Sequence, residues 1–263
     1  MKYALVTGAT SGIGLEYARE LASRGYHIIA VSNDREGLKR VAQDIYLDFN
    51  VSISGIYSDL SRPEAAKEIF DMCEAQGFEV EILICNAGAL LFSTLANTPA
   101  ERIGSLINLH CTTPTLLCRY FGQKMKERGY GNILIMSSAT AWLPYPTISV
   151  YGATKAYLKN FAFSLWQEMY RYGVNVTAVF PGAVDTPFYN LDEGKRTLLT
   201  GFGLMLSPAT IARRGLRALF SGRRRLIPGL FTKLIVLLCS ILPARVLELI
   251  TRIKPLRELL ERL

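Results

Sequence analysis

Thr7-Gly8-Ala9-Thr10-Ser11-Gly12-Ile13-Gly14 follows the apolar run Ala4–Val6 and leads into the amphipathic stretch Leu15–Arg24. The run is short and bounded by turn residues, as a buried strand is, and the stretch after it has helical spacing. In a strand–glycine turn–helix unit, the first amides and the positive dipole end of the helix face whatever lies beyond the strand, which suits phosphate groups. Gly8 permits the sharp turn, Gly12 lets the backbone approach a pyrophosphate, and Gly14 allows close helix–strand packing. Thr10, Ser11 and Ile13 complete a turn expected to hold a dinucleotide.

Outward from this unit the same alternation continues. Ile28–Val31, Ile53–Ile56, Ile82–Cys85, Ile133–Met136 and Val174–Phe180 are further short apolar runs. Helical patterns lie between them, such as Pro63–Gln76, where Ser61 and Pro63 suit a cap and a first turn. Strands buried on both faces and joined by helices make a parallel sheet with right-handed crossovers. The expected fold is therefore α/β, one doubly wound domain with a parallel sheet of about seven strands flanked by helices. Ligands bind such sheets beyond the carboxyl ends of the strands. We expect residues 1–222 to form this domain, with a lid over 187–207, and residues 223–263 to form a basic, apolar helical extension. Phe188, Tyr189, Phe202, Leu204, Met205 and Leu206 make that stretch apolar, the alternative to a lid being helices that face the core.

Composition excludes several classes. Half of the 263 residues are hydrophobic, enough for a large core. The five cysteines show neither CxxC pairs nor zinc-ligand spacing, so no metal is expected and reduced, buried thiols are. His27 opens a predicted strand and reads as structural. His110, two residues past Asn108 on a predicted helix, reads as structural more readily than as a site residue. Met1-Lys2 runs straight into the first strand without a signal-length apolar stretch, which points to the cytoplasm, with the inner face of a membrane as a variant. The net charge of +8 is uneven. Residues 213–263 carry 12 Lys/Arg against 3 Asp/Glu, and the remainder 18 against 19.

Tyr151 and Lys155 are four apart and share a helix face. A free phenol titrates near 10, too high to cycle at neutral pH, and a neighbouring ammonium stabilises the phenolate. Lowering that pKa by about three units corresponds to about 4 kcal/mol. Ser138 ends the fifth strand and can polarise a carbonyl oxygen by hydrogen bonding. These are the groups a ketone reduction needs as hydride arrives at carbon. Ser138, Tyr151 and Lys155 downstream of the glycine turn resemble the short-chain dehydrogenase/reductase family, from about Lys2 to the chain end.

The resemblance implies a Rossmann domain and further roles. Asn108 would be the fourth member of the catalytic set, holding a water that links Lys155 to solvent. Lys155 would also hold the nicotinamide ribose. Asp59-Leu60 would meet the adenine, and Asn86-Ala87-Gly88 would lie against the ribose with Asn86 tying neighbouring strands. In Pro181-Gly182-Ala183-Val184-Asp185-Thr186, the Val184 amide and the Thr186 hydroxyl would fix the carboxamide.

An acidic side chain at the end of the second strand would bind ribose hydroxyls and repel a 2′-phosphate. Ser32 stands there, leaving room for the phosphate with Asn33 and Arg35 as donors, so NADP is expected. A strand two residues longer would put Asp34 in that place and favour NAD.

Arg223-Arg224-Arg225 precedes Leu234–Leu242, an apolar run of nine. Spanning a bilayer takes about 20 residues. The run suits an interfacial helix beside a basic patch, the alternatives being packing on the core or a subunit contact in a homo-oligomer. Similar tails occur in relatives acting on long-chain 3-keto lipids and hydroxysteroids. The expected partner is thus a lipophilic ketone or alcohol. Nucleic acid is not expected, because the basic residues lack interleaved aromatics. The rival reading is a non-catalytic dinucleotide sensor or scaffold on the same fold.

Overall fold

A computed structural model describes residues 1–143, 146–185 and 205–242. The chain opens with β1 (Tyr3–Thr7), α1 (Gly12–Ala22), β2 (His27–Ser32), α2 (Arg35–Phe49), β3 (Ile53–Tyr57), α3 (Ala65–Ala75) and β4 (Val80–Cys85). It continues with α4 (Ala100–Ile107), a π-helical turn (Asn108–Thr112), α5 (Thr113–Arg128), β5 (Gly131–Met136), α6 (Ser149–Met169) and β6 (Val174–Val179). Last come β7 (Ala183–Val184), β8 (Met205–Leu206), α7 (Pro208–Phe220), β9 (Arg225–Leu226) and α8 (Leu230–Ile241).

Seven strands form one sheet in the order β3-β2-β1-β4-β5-β6-β9. Every pairing in it is parallel. The order reverses between β1 and β4, which opens a crevice at their carboxyl ends. The sheet is buried on both faces, and successive residues divide between two cores. Leu5, Ile29, Leu83, Ile133 and Val176 face one core with Phe121 and Leu158. Ala4, Val6, Ile28, Ile84 and Leu134 face the other with Tyr17 and Leu216. This two-sided burial is why the strands read as unbroken apolar runs. Truncating a side chain such as Leu83, which is 0 % exposed, to alanine would cost about 2–5 kcal/mol.

Four details differ from the sequence reading. The helix expected from Pro63 starts at Ala65, and Ser61 does not cap it. Ser61 instead donates both its amide and its hydroxyl to Asp59 Oδ1, at 2.9 and 2.8 Å. Met205 and Leu206, read as part of the lid, pair with Ala183 and Val184 as a two-stranded parallel ribbon, and Met205 is buried. Residues 186–204, with the other lid positions and Thr186, lie outside the described residues. Arg225 and Leu226, assigned to the extension, supply the seventh strand of the main sheet by pairing with Ala178 and Val179.

Candidate active site

The crevice is a cleft of about 470 Å³ running from the glycine turn to α6. Its floor is made by the loops after β1, β2, β3, β4, β5 and β6, so residues far apart in sequence meet along one line. Gly8, Thr10, Ser11, Gly12 and Ile13 line one end, together with Ser32 and Asn33. Asp59 and Leu60, from the loop after β3, line it as well, and Asn86, Ala87 and Gly88 do so from the loop after β4. Ser138, Tyr151, Lys155, Pro181, Gly182 and Val184 line the other end.

The turn after β1 depends on its glycines. Gly8 has φ +67°, a left-handed conformation that side chains disfavour. A β-carbon on Gly14 would collide with the Gly8 carbonyl oxygen and lie 2.5 Å from Asn86 Nδ2. Gly14 therefore shapes the turn from beneath rather than lining the cleft. Ser11 is the N-cap of α1 but makes no side-chain cap hydrogen bond. The first-turn amides of α1 have no partner within the helix and are left for a ligand. Thr7 fastens the turn to the end of β4. Its hydroxyl donates to the Ile84 carbonyl at 3.2 Å and accepts from the amides of Asn86 and Ala87 at 2.9 and 3.0 Å. Asn86 Nδ2 returns a bond to the Thr7 carbonyl at 3.1 Å.

At the end of β2 the strand stops at Ser32, and Asp34 lies past it. Asp34 is the N-cap of α2, its carboxylate accepting from the Gly37 amide at 2.9 Å. Ser32 bonds the Thr10 hydroxyl at 2.8 Å and accepts from the Asp34 amide at 3.1 Å. Arg35 does not line the cleft. Its guanidinium lies 3.7 Å from the centroid of the Tyr57 ring, held there by cation–π attraction and stacking.

At the opposite end, Ser138 accepts from the Thr140 amide at 3.2 Å, which leaves its own hydrogen available to an oxygen in the cleft. Ser137, one residue earlier, is spent on structure, donating to the Lys155 carbonyl at 2.8 Å. Lys155 is 5 % exposed, and its ammonium donates to the Met136 carbonyl at 3.2 Å. That ammonium lies 5.5 Å from the Tyr151 ring centroid. Burial lowers the Lys155 pKa to about 8.

Asn108 and His110 both lie on the π-helical turn but are placed differently with respect to the cleft. Asn108 does not line the cleft; it heads the π-helical turn, where its side-chain oxygen accepts from the Thr112 hydroxyl at 3.2 Å. His110 does line the cleft and is 1 % exposed. A π-helical turn adds a residue to the helical repeat and rotates the side chains that follow, so regular helical spacing misplaces His110. Ser58, Ala89, Leu90, Leu109 and Met136 are further lining residues that carried no sequence signal.

These residues fit a dinucleotide. The cleft is long and open, α1 presents unspent amides at one end, and Ser58 Oγ in its wall is buried without a hydrogen-bond partner. Among the described residues, no cluster of His, Cys, Asp and Glu could hold a metal ion.

Residues 2–195 match the family model described as short chain dehydrogenase. The chain belongs to that family. It is 36 % identical over 195 residues to the very-long-chain 3-oxoacyl-CoA reductase of Rattus norvegicus, covering 70 % of this chain and 60 % of that protein. It is 34 % identical over 192 residues to the human inactive hydroxysteroid dehydrogenase-like protein 1, covering 70 % of this chain and 56 % of that protein. The chain thus matches less than two thirds of the length of either relative. Among solved structures, a short-chain dehydrogenase from Sphingobium yanoikuyae in complex with NADPH superposes with a TM-score of 0.79. It is 26 % identical, over 93 % of this chain and 97 % of that one. The relatives' names carry the lipid and hydroxysteroid resemblance seen in the sequence.

Proposed function

We propose that this short-chain dehydrogenase/reductase interconverts a ketone and a secondary alcohol, and that its usual direction is NADPH-dependent reduction of a lipophilic keto substrate. One observation carries the reading. The Ser138 hydroxyl, the Tyr151 ring and the buried Lys155 ammonium gather at one end of a cleft whose other end is the glycine turn. The NADPH complex of the structural neighbour supports the choice of nucleotide, as does the absence of an acidic residue at the end of β2.

The glycine turn and the first amides of α1 would hold the pyrophosphate. Ser32 and Asn33 would receive the 2′-phosphate, and Arg35 would join them only by leaving the Tyr57 ring. Asp59 and Leu60 would border the adenine, Asn86 to Gly88 the ribose, and Pro181 to Thr186 the nicotinamide. When bound, the nucleotide supplies or accepts a hydride. Ser138 donates a hydrogen bond to the substrate oxygen, favouring negative charge there. Tyr151 delivers its phenolic proton to that oxygen, and Lys155 steadies the phenolate left behind. Asn108 would act in the return of that proton through a water, its side-chain oxygen also accepting from the Thr112 hydroxyl.

The substrate's lipophilic character rests on the relatives' names and on α8. Leu230, Phe231, Leu234, Leu237, Leu238 and Ile241 are all exposed on that helix. No helix among the described residues is long and apolar enough to cross a membrane. A helix lying in the plane of an anionic lipid surface, with Arg223, Arg224, Arg225 and Lys233 close to it in the chain, suits this pattern.

The non-catalytic reading has a specific point in its favour, the human relative that is named inactive. Ser138, Tyr151 and Lys155 stand against it, because a pure binder has no use for a phenol beside a buried ammonium. The discriminating experiment follows NADPH oxidation with ketones of increasing chain length, in wild type and Tyr151→Phe. The expected result is turnover by wild type and a loss of about 10²–10⁴-fold in the variant, the range of general acid catalysis. Equal turnover would remove the mechanism, and no turnover by either protein would favour the sensor.

A further inference from the structure

His110 is buried between two segments that the proposed reaction uses, and both of its ring nitrogens are engaged. Nε2 lies 3.0 Å from the Ala89 amide nitrogen, which can only donate, so Nε2 is the acceptor. Nδ1 lies 2.9 Å from the Thr154 hydroxyl. That hydroxyl gives its single proton to the Tyr151 carbonyl at 2.7 Å, so it accepts from Nδ1. The neighbours therefore dictate a neutral imidazole with its proton on Nδ1. Burial, and then the Lys155 charge, hold the His110 pKa well below the ordinary histidine value, which agrees with that state.

The ring also meets Tyr151 edge to face, with centroids 5.7 Å apart. A β-carbon on Gly88 would lie 3.0 Å from His110 Nε2 and 3.7 Å from Lys155 Nζ, so all three groups border one small space. Ala89 continues the strand end Asn86-Ala87-Gly88, while Thr154 stands between Tyr151 and Lys155 on α6. His110 thus bridges the loop after β4 and the helix that carries the proton donor.

We propose that His110 is a positioning residue, whose bonds to Ala89 and Thr154 hold the loop after β4 at a set distance from Tyr151 and Lys155. The assignment rests on the ketone-reductase reading. A charged imidazole could not do this work, because a second N–H would face the Ala89 amide. Displacing reacting groups by about 1 Å can lower a rate by about 10²-fold even when binding survives. The effect of breaking the bridge is therefore expected in kcat more than in KM.

The test compares wild type, His110→Phe, His110→Gln, Thr154→Val and Tyr151→Phe in one NADPH-oxidation assay, with thermal unfolding recorded for each. His110→Phe keeps the ring and loses both bonds. Its kcat should fall about 10- to 100-fold while the ketone KM stays within about twofold. His110→Gln can still accept from the Ala89 amide and should recover most of that loss. If His110→Phe does not fold, Thr154→Val breaks the other half of the bridge and should show the same split. The proposal is overturned if the folded variants keep the wild-type kcat, or if glutamine rescues no better than phenylalanine. In those cases wild type still turns over and Tyr151→Phe does not. Failure of the wild type itself would instead remove the functional reading.

Discussion

Lys155 keeps an ammonium in the protein interior, with the Met136 carbonyl as its acceptor at 3.2 Å. Its pKa of about 8, against an ordinary 10.5, means that the folded state binds fewer protons than the unfolded one between those values. Stability of the ligand-free protein should therefore rise with pH from about 8 to 10.5. At neutral pH the charged amine costs about 3 kcal/mol, offset by about 1 kcal/mol from its hydrogen bond. Lys155→Met should then abolish turnover, yet stabilise the ligand-free protein by about 2 kcal/mol at pH 7 and flatten its alkaline rise. Denaturant unfolding across this pH range checks it, and a destabilised variant at pH 7 would contradict it. Ser32 carries the second residue-scale prediction. Ser32→Asp would set a carboxylate beside the expected 2′-phosphate and weaken NADPH relative to NADH by about 10- to 100-fold. Titration of both nucleotides reads this directly, and tighter NADH binding by wild type would overturn the NADP assignment. The place of Ser32 at the strand end was legible, because the apolar run of β2 stops there. Arg35 was not, because nothing in the sequence says that Tyr57, 22 positions away, offers it an aromatic face.

Elements with a strong period were readable, and those whose form depends on distant partners were not. The six apolar runs all became strands of the main sheet, since burial of the central strands on both faces keeps them largely apolar, with Ser54, Asn175 and Thr177 as polar exceptions. β9 has only two residues and exists because Ala178 and Val179 accept it at the sheet edge, a fact no local pattern contains. The π-helical turn hid His110 for the reason already given. α8 was visible as an apolar run, but its orientation was not. Thr232 and Val236 face inward, with Thr232 against Gly182, and the larger apolar residues face out. That arrangement yields an element-scale prediction. Leu234→Glu with Leu237→Glu should abolish flotation with anionic liposomes and leave turnover of a short, soluble ketone intact. Wild-type binding should weaken as salt rises, each basic side chain contributing about 1 kcal/mol near such a surface. Wild type that remains soluble with liposomes at low salt would assign the face to another partner.

For the whole molecule, the parallel order β3-β2-β1-β4-β5-β6-β9 brings six loops to one edge and explains why a single cleft collects every lining residue. The edge of the sheet that holds the cleft was legible from the alternation of strands and helices, since ligands gather beyond the carboxyl ends of parallel strands; the point where the order reverses was not. Ser138, Tyr151 and Lys155 could be picked out because each has a specific donor or charge to supply, and all three line the cleft. What the substrate carries beyond its carbonyl was not legible, because residues 186–204 bear no comparable spacing rule. Tyr151 is proposed to protonate an oxygen while hydride from NADPH reaches the adjacent carbon. The most direct test uses NADPH carrying deuterium at both C4 positions of the nicotinamide with a long-chain ketone, and mass analysis of the alcohol. Wild type should place one deuterium on the carbinol carbon, and Tyr151→Phe should form almost no labelled alcohol in the same time. Unlabelled alcohol from wild type, or equal labelled product from both proteins, would contradict the account.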